Sequence, residues 1–231
     1  MNEDDKVSKI NIVIEHQVKS FYELFISCKC FESINFKKFY RNNIIDMKGM
    51  FSNCSSLKEL NRTNSNTNNV TNMRYMFFRC YSLNELNLSN FNINNATNMR
   101  SIFDSCYSLK ELNNTNFNTN NVIDMKWMFH GSSSLKELNL SNFNTNNVND
   151  MSYIFHGCSS LIELNLTNFK NDYVTNMSYM FNGCSSLKEL NLTNFNTKYV
   201  TDMRYVFDGC PDELIVKIKI QYQNFKGQVF W

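Results

Sequence analysis

Methionine recurs at positions 47, 73, 99, 125, 151, 177 and 203, a strict spacing of 26 residues. Phenylalanine follows four places later each time, from Phe51 to Phe207. Cysteine follows at 54, 80, 106, 158, 184 and 210, with Ser132 in the remaining slot. Leucine rows at 57, 83, 109, 135, 161 and 187 and at 60, 86, 112, 138, 164 and 190 complete the pattern. A chain that repeats without insertions must build coils of equal length. One such coil cannot bury its own Leu, Met and Phe, so the coils must stack and bury them against their neighbours. Each side chain fully buried in this way contributes roughly 1.5–3 kcal/mol. Stepping back 26 residues reveals a degenerate earlier copy in Phe21, Leu24, Phe25, Cys28, Phe31, Ile34, Phe36, Phe39 and Ile44. Repeats therefore span residues 21–210, and parallel strands about 4.8 Å apart make the eight coils a rod roughly 40 Å long.

The repeat also interprets the composition. Asparagine fills 40 of 231 positions, against one proline and six glycines, which alone would suggest a low-complexity tract. Yet 42% of residues are apolar and 20 are Phe, enough for a large core. The formal net charge of +2 gives no electrostatic drive toward nucleic acid, and Lys and Arg do not line up on one face. No apolar run reaches the roughly 18–20 residues of a membrane span. The opening residues Met1 to Lys6 lack a basic region followed by an apolar one, so no secretory signal is expected there.

Each coil carries two apolar periods. Leu83, Leu86 and Leu88 end in the alternation of a short strand. Met73, Met76 and Phe77 stand at i, i+3 and i+4, one face of a helical turn, with Thr71 and Asn72 as candidate caps. Gly131, Gly157, Gly183 and Gly209 sit where that turn should end. The stretch Phe91-Asn92-Ile93-Asn94-Asn95 is too short and polar for a second element and reads as a turn. The expected architecture is an α/β leucine-rich-repeat solenoid, right-handed, with parallel strands on one face and short helical turns on the other. Alternation of Ile10, Ile12 and Ile14 predicts a cap strand within residues 1–20. Alternation of Leu214, Val216, Ile218 and Ile220 predicts a second within residues 211–231. The repeats at 21–210 lie between them as one domain.

The run from Val174 to Thr197, Val-Thr-Asn-Met-Ser-Tyr-Met-Phe-Asn-Gly-Cys-Ser-Ser-Leu-Lys-Glu-Leu-Asn-Leu-Thr-Asn-Phe-Asn-Thr, resembles the BspA-type leucine-rich repeat. That repeat occurs in surface proteins of mycoplasmas, of oral and gut bacteria and of some protists. The similarity covers about 190 of the 231 residues. It implies a solenoid and, for bacterial members, a cell-surface protein that adheres to host matrix proteins. It implies no catalytic residues. The single-file cysteine ladder points elsewhere, to free inward thiols and a reducing compartment, so a cytoplasmic location stands beside the surface one.

Strand alternation identifies the outward residues. They form a Glu row (Glu85, Glu111, Glu137, Glu163, Glu189) and an Asn row (Asn87, Asn113, Asn139, Asn165, Asn191), followed by a Ser/Thr row. Stacked carboxylates repel one another, and Lys58, Lys110, Lys136 and Lys188, each preceding a Glu, can offset part of that. A concave polar face is the usual binding surface of a solenoid. The plainer alternative is that copied repeats merely copy a soluble surface. A second candidate row is aromatic: Tyr75, Trp127, Tyr153, Tyr179 and Tyr205, with Gly49 and Ser101 as exceptions. Such rings are enriched at interfaces, though they can equally pack flank to flank along the stack. A further Asn row, 64, 90, 116, 142, 168 and 194, reads as a structural ladder. His130 and His156 stack one coil apart without the residues to close a metal shell. No phosphate loop, nucleophile elbow or zinc-protease helix is present. The expectation is a non-catalytic, monomeric module without cofactor or metal. It would bind a protein or glycan-bearing surface and neither nucleic acid nor membrane. The runner-up is a structural scaffold with no specific ligand.

Overall fold

The computed structural model describes residues 9–11, 18–36, 43–62 and 67–222. Its strands are β1 (Lys9–Asn11), β2 (Ser33–Phe36), β3 (Glu59–Arg62), β4 (Glu85–Asn87), β5 (Glu111–Asn113), β6 (Glu163–Asn165) and β7 (Glu189–Asn191). All pairings are parallel and keep the repeat register, with Leu86 opposite Leu112 and Leu164 opposite Leu190. The fold is a leucine-rich-repeat solenoid. Among the described residues no helix is long and apolar enough to cross a membrane.

One coil interrupts the strand ladder. Glu137–Asn139, between β5 and β6, is not a strand, and the ladder breaks there. The coil before it carries Asn114 in a slot that its neighbours fill with Leu88, Leu140 and Leu166. Where Leu88 donates its backbone N–H to the Asn113 carbonyl at 2.8 Å, Asn114 instead donates its buried side-chain amide to the Asn139 carbonyl at 2.8 Å.

The opposite side of the coil departs from the expected helical turn. Met76, Phe78 and Cys80 N–H groups bond back three residues, as a tight helical turn would, at 3.1–3.2 Å. The intervening Met73, Tyr75, Phe77 and Arg79 N–H groups donate to carbonyls of the next coil, at 2.9–3.0 Å. Two residues per coil take positive φ to allow this, for example Tyr153 at 61° and Gly157 at 73°. A left-handed residue costs roughly 1–2 kcal/mol unless it is glycine, but here the inter-coil ladder offsets the cost. At Gly183 an added Cβ would make ordinary contact with the Gly157 Cα at 3.5 Å, so the φ of 74° alone selects glycine there. The expected cap is present: the Asn72 side-chain oxygen accepts the Arg74 N–H at 3.2 Å.

Inside, Phe25, Phe51, Phe77, Phe103, Phe129, Phe155, Phe181 and Phe207 form one continuous stack, with successive centroids 5.4–5.9 Å apart. The Met, Leu and Val rows pack beside it, buried except for the half-buried Leu112, Leu138, Val200 and Met203. All eight cysteines are free thiols. Cys54, Cys80, Cys106, Cys158, Cys184 and Cys210 donate to the carbonyls of Phe25, Phe51, Phe77, Phe129, Phe155 and Phe181 at 3.0–3.2 Å. Ser132 makes the same bond to the Phe103 carbonyl at 2.9 Å.

Asparagine closes the turns. Its short amide accepts a backbone N–H two residues on, a turn that few other side chains can make. The Asn87 oxygen accepts from Ser89, the Asn118 oxygen from Asn120 and the Asn176 oxygen from Ser178, at 2.9–3.0 Å. Other amides tie coil to coil. Asn168 and Asn194 donate to the Ser141 and Thr167 carbonyls at 2.5 Å, and Asn116 and Asn142 make the same contact. The expected Asn ladder is therefore present, with its side chains exposed at the surface. The segment read as a plain turn also contributes inward. Buried Thr67, Thr119 and Thr145 donate their hydroxyls to carbonyls of the following coil at 2.7–2.8 Å.

The ends differ from each other. β1 pairs with β2, Ile10 opposite Ile34, which supplies a strand inside the expected amino-terminal cap. Ile12 and Ile14 lie outside the described residues. At the carboxyl end the expected cap strand is instead a helix, α1 (Asp212–Gln221). A strand would bury Leu214, Val216, Ile218 and Ile220 together. The accessibilities are 2%, 55%, 1% and 71%, so only the i, i+4 pair faces the last coil. Asp212 and Glu213 in the first turn and Lys219 in the last suit the helix dipole. A helix also covers the final core without presenting another open strand edge.

Candidate functional site

The candidate residues fall on two separate sides of each coil. On the strand side, Glu85, Glu111, Glu137, Glu163 and Glu189 are all exposed, and so are Asn87, Asn113, Asn139, Asn165 and Asn191. Parallel register places Glu85 beside Glu111 and Glu163 beside Glu189. The Asn oxygens of this row are taken by the turns, accepting N–H groups of Ser89, Thr115, Ser141, Thr167 and Thr193 at 2.9–3.3 Å. What these amides present outward is the NH2 group, a donor. The surface is thus a carboxylate row beside a row of amide donors.

The preceding lysines neutralise little of it. Lys58 pairs with Glu32 of the coil before, at 3.0 Å, and Glu189 pairs with Lys217 of α1, at 2.6 Å. Glu85, Glu111, Glu137 and Glu163 have no ion pair among the described residues. Two shallow hollows lie over this face. One, of about 830 Å³, runs from Glu59 past Glu111 to Asn139. The other, of about 1280 Å³, runs from Lys136 to Asn191 and is walled at its far end by Ile220, Gln221 and Tyr222. The sequence reading missed this wall, because a strand in place of α1 would not have projected over the groove. The Tyr222 hydroxyl accepts the Leu192 N–H at 3.0 Å and fixes the wall to the last coil.

On the turn side, Trp127, Tyr153, Tyr179 and Tyr205 stack face to face with centroids 4.0, 4.6 and 5.0 Å apart. Their backbone φ values of 55–63° swing the rings off the core stripe and into register. Tyr75 stands apart, two coils before Trp127, with the Arg74 guanidinium 4.6 Å from its ring centre. Beside this row His130 stacks on His156 at 4.9 Å, and the His130 Nδ1 donates to Asp104 at 2.7 Å. Burial first, and then the neighbouring His130, lowers the His156 pKa. Among the described residues no three His, Cys, Asp or Glu side chains converge as a metal site would require. The buried thiols are poor nucleophiles, since desolvation pushes Cys54, Cys158 and Cys210 up to about 12.

The family model described as "Mycoplasma protein of unknown function, DUF285" matches residues 19–138 and again 110–214, nearly the whole repeat region. The chain belongs to this family. It is a leucine-rich-repeat type of family, in agreement with the fold. No curated protein matches the chain. Among solved structures, a leucine-rich repeat protein of T. pallidum is 18% identical, with 96% of this chain and 79% of that one covered and a TM-score of 0.45. A leucine-rich repeat protein of Bacteroides ovatus is 16% identical over 88% and 72% of the two chains, TM-score 0.34. A leucine-rich cell surface protein of Faecalibacterium prausnitzii is 17% identical over 78% and 65%, TM-score 0.30.

Proposed function

We propose that this DUF285 chain is a non-catalytic recognition module that binds a protein through its strand face. The observation that carries the reading is the open carboxylate row. Glu85, Glu111, Glu137 and Glu163 are exposed and have no ion pair among the described residues, on a backbone whose described coils hydrogen-bond to their neighbours. A rigid array loses little ordering entropy on binding. Stacked like charges favour a partner surface that carries Lys or Arg, with carbonyls to receive the amide donors. Adhesion to a host matrix protein, the role implied by the BspA-type resemblance, is the specific form of this proposal. The uniformity of the rows supports a second reading, a scaffold with no particular ligand.

Partner capture with the wild type and with the triple variant Glu111→Gln, Glu137→Gln, Glu163→Gln separates the two. The recognition reading expects at least a tenfold loss of retained partner in the variant, and a wild-type complex that weakens as salt rises but survives moderate salt. Undiminished retention of every partner by the variant overturns the strand-face assignment. Absence of any partner that survives moderate salt supports the scaffold.

A further inference from the structure

The sequence reading expected no alignment of Lys and Arg on one face, but the turn side carries a file of them. Lys48, Arg74, Arg100 and Lys126 follow the Met in four successive coils. The Gly49, Tyr75 and Ser101 N–H groups donate to the carbonyls of Arg74, Arg100 and Lys126 at 2.8–3.0 Å. Each basic residue therefore stands one parallel-ladder spacing, about 4.8 Å, from the next.

The unmatched charge lies in the middle of the file. At its end Asp150 pairs with Lys126 at 3.6 Å, and farther along the solenoid Asp202 holds Arg204 at 2.8 Å. The corresponding places before Arg74 and Arg100 hold the neutral Asn72 and Asn98, which accept only the backbone N–H of each arginine, at 3.1–3.2 Å. Neither arginine has an ion pair among the described residues, and the Nε of each is buried without a hydrogen-bond partner. Asp104 borders the same hollow as Arg100 but is taken by His130 at 2.7 Å. Two half-buried guanidiniums one coil apart repel each other and favour an anion laid across them.

An anion array of the same pitch stands on the other side of the same coils. Glu85 lies opposite Glu111 in the β4–β5 ladder. Glu137, although outside a strand, keeps its place in file, because the Ile162 N–H donates to the Lys136 carbonyl at 3.2 Å. Both rows are built on one repeat, so their spacings agree, whereas an unrelated acidic partner has no reason to share that pitch. The four basic residues begin one coil before the four carboxylates that have no ion pair among the described residues. Two chains side by side, pointing the same way and shifted by one coil, set Arg74 against Glu111 and Arg100 against Glu137, with Lys48 and Lys126 meeting Glu85 and Glu163. The matched length is about 14 Å. A single exposed pair contributes little, but several in fixed register act as a network.

We propose that the turn-side basic file is a docking surface for the strand-face carboxylate row of a second copy of this chain. The proposal deepens the strand-face reading and rests on it for the carboxylate half of the contact. The contact joins two different surfaces, so it does not close on itself. Every copy keeps one free row, and association runs on to an open array of parallel solenoids instead of stopping at a dimer.

Sedimentation velocity of the full chain tests this. At low salt the average mass should rise with concentration past twice the 27.3 kDa of the monomer. Association should weaken at least tenfold between about 20 and about 300 mM salt. The basic-row variant Arg74→Gln with Arg100→Gln should stay monomeric alone, and so should the carboxylate variant Glu111→Gln, Glu137→Gln, Glu163→Gln. Mixed in equal amounts, the two retain one intact row of each kind and should form a complex that stops at one copy of each, which also shows that both are folded. A wild type that stays monomeric at low salt, variants that assemble as the wild type does, or a mixture that does not associate overturns the proposal. A monomeric wild type retained on immobilised heparin through Arg74 and Arg100 also overturns it, in favour of a polyanion. The strand-face reading survives such a failure if the basic-row variant captures a partner protein as well as the wild type does and the carboxylate variant does not.

Discussion

At the scale of single residues, the thiol ladder shows what a repeat position demands. The Cys slot needs a small group that fills apolar space and carries one proton to donate to the Phe carbonyl of the coil before. Ser132 meets the second need at 2.9 Å, and Cys158 meets both, at 3.2 Å to the Phe129 carbonyl. Cys158→Ser is therefore expected to lie within about 1 kcal/mol of the wild type. Cys158→Ala removes one of two donors to the Phe129 carbonyl, which keeps the Ser132 N–H at 3.0 Å, and should cost about 0.5–1.5 kcal/mol. Urea unfolding midpoints of the two variants check the order, and an alanine variant as stable as the serine one would assign the slot to packing alone. The apolar rows themselves were plain in the sequence, because burial at a fixed period leaves a fixed residue type. The fate of each asparagine was less plain. Turn-closing Asn87 and coil-linking Asn168 are the same residue, and only their backbone settings tell the two uses apart.

At the scale of elements, the segment that closes the solenoid gave two periods at once. Leu214, Val216, Ile218 and Ile220 alternate like a strand, but Leu214 and Ile218 are also one helical turn apart. The strand reading let alternation decide and passed over Asp212, Glu213 and Lys219, charges placed as a helix dipole favours. The two readings make different energetic demands. In α1, Leu214→Ala and Ile218→Ala should each cost about 2–5 kcal/mol by opening the junction with the last coil. Val216→Ala and Ile220→Ala should fall within about 0.5 kcal/mol of the wild type, because both point to solvent. Thermal or urea unfolding of the four variants measures this, and four equal losses would restore the strand. The Met-Phe segment was misread for another reason. Its i, i+3, i+4 spacing suits a helical turn, but no residue type announces that Tyr153 will adopt a φ of 61°. That conformation is imposed by the hydrogen bonds of the neighbouring coil, which no local window contains. For the same reason the sequence exposed the aromatic row but did not show that its rings stack.

At the scale of the whole molecule, the repeat multiplies one residue's physics along the length of the solenoid. Burial raises the pKa of each inward thiol: Cys54, Cys158 and Cys210 reach about 12, and Cys80, Cys106 and Cys184 shift the same way. In the unfolded chain a thiol releases its proton near pH 9, whereas in the solenoid it keeps it. The unfolded state therefore binds fewer protons above that point, and stability must fall as pH rises. The contribution is complete below about pH 9 and is lost progressively as pH climbs through the folded values near 12. Each thiol can account for roughly 1 kcal/mol per pH unit in that window. Since coils are stable only through their neighbours, losses at several levels of the ladder converge on one unfolding event. Circular dichroism of the wild type between pH 8 and 12 should show a steep alkaline transition. Tyrosines and lysines titrate in the same range, so the decisive comparison is with Cys158→Ser combined with Cys184→Ser. That variant has two fewer thiols to ionise, and its stability should fall more slowly with pH even if its stability at pH 7 is lower. Parallel pH slopes for the two proteins would show that the ladder does not govern the alkaline limit.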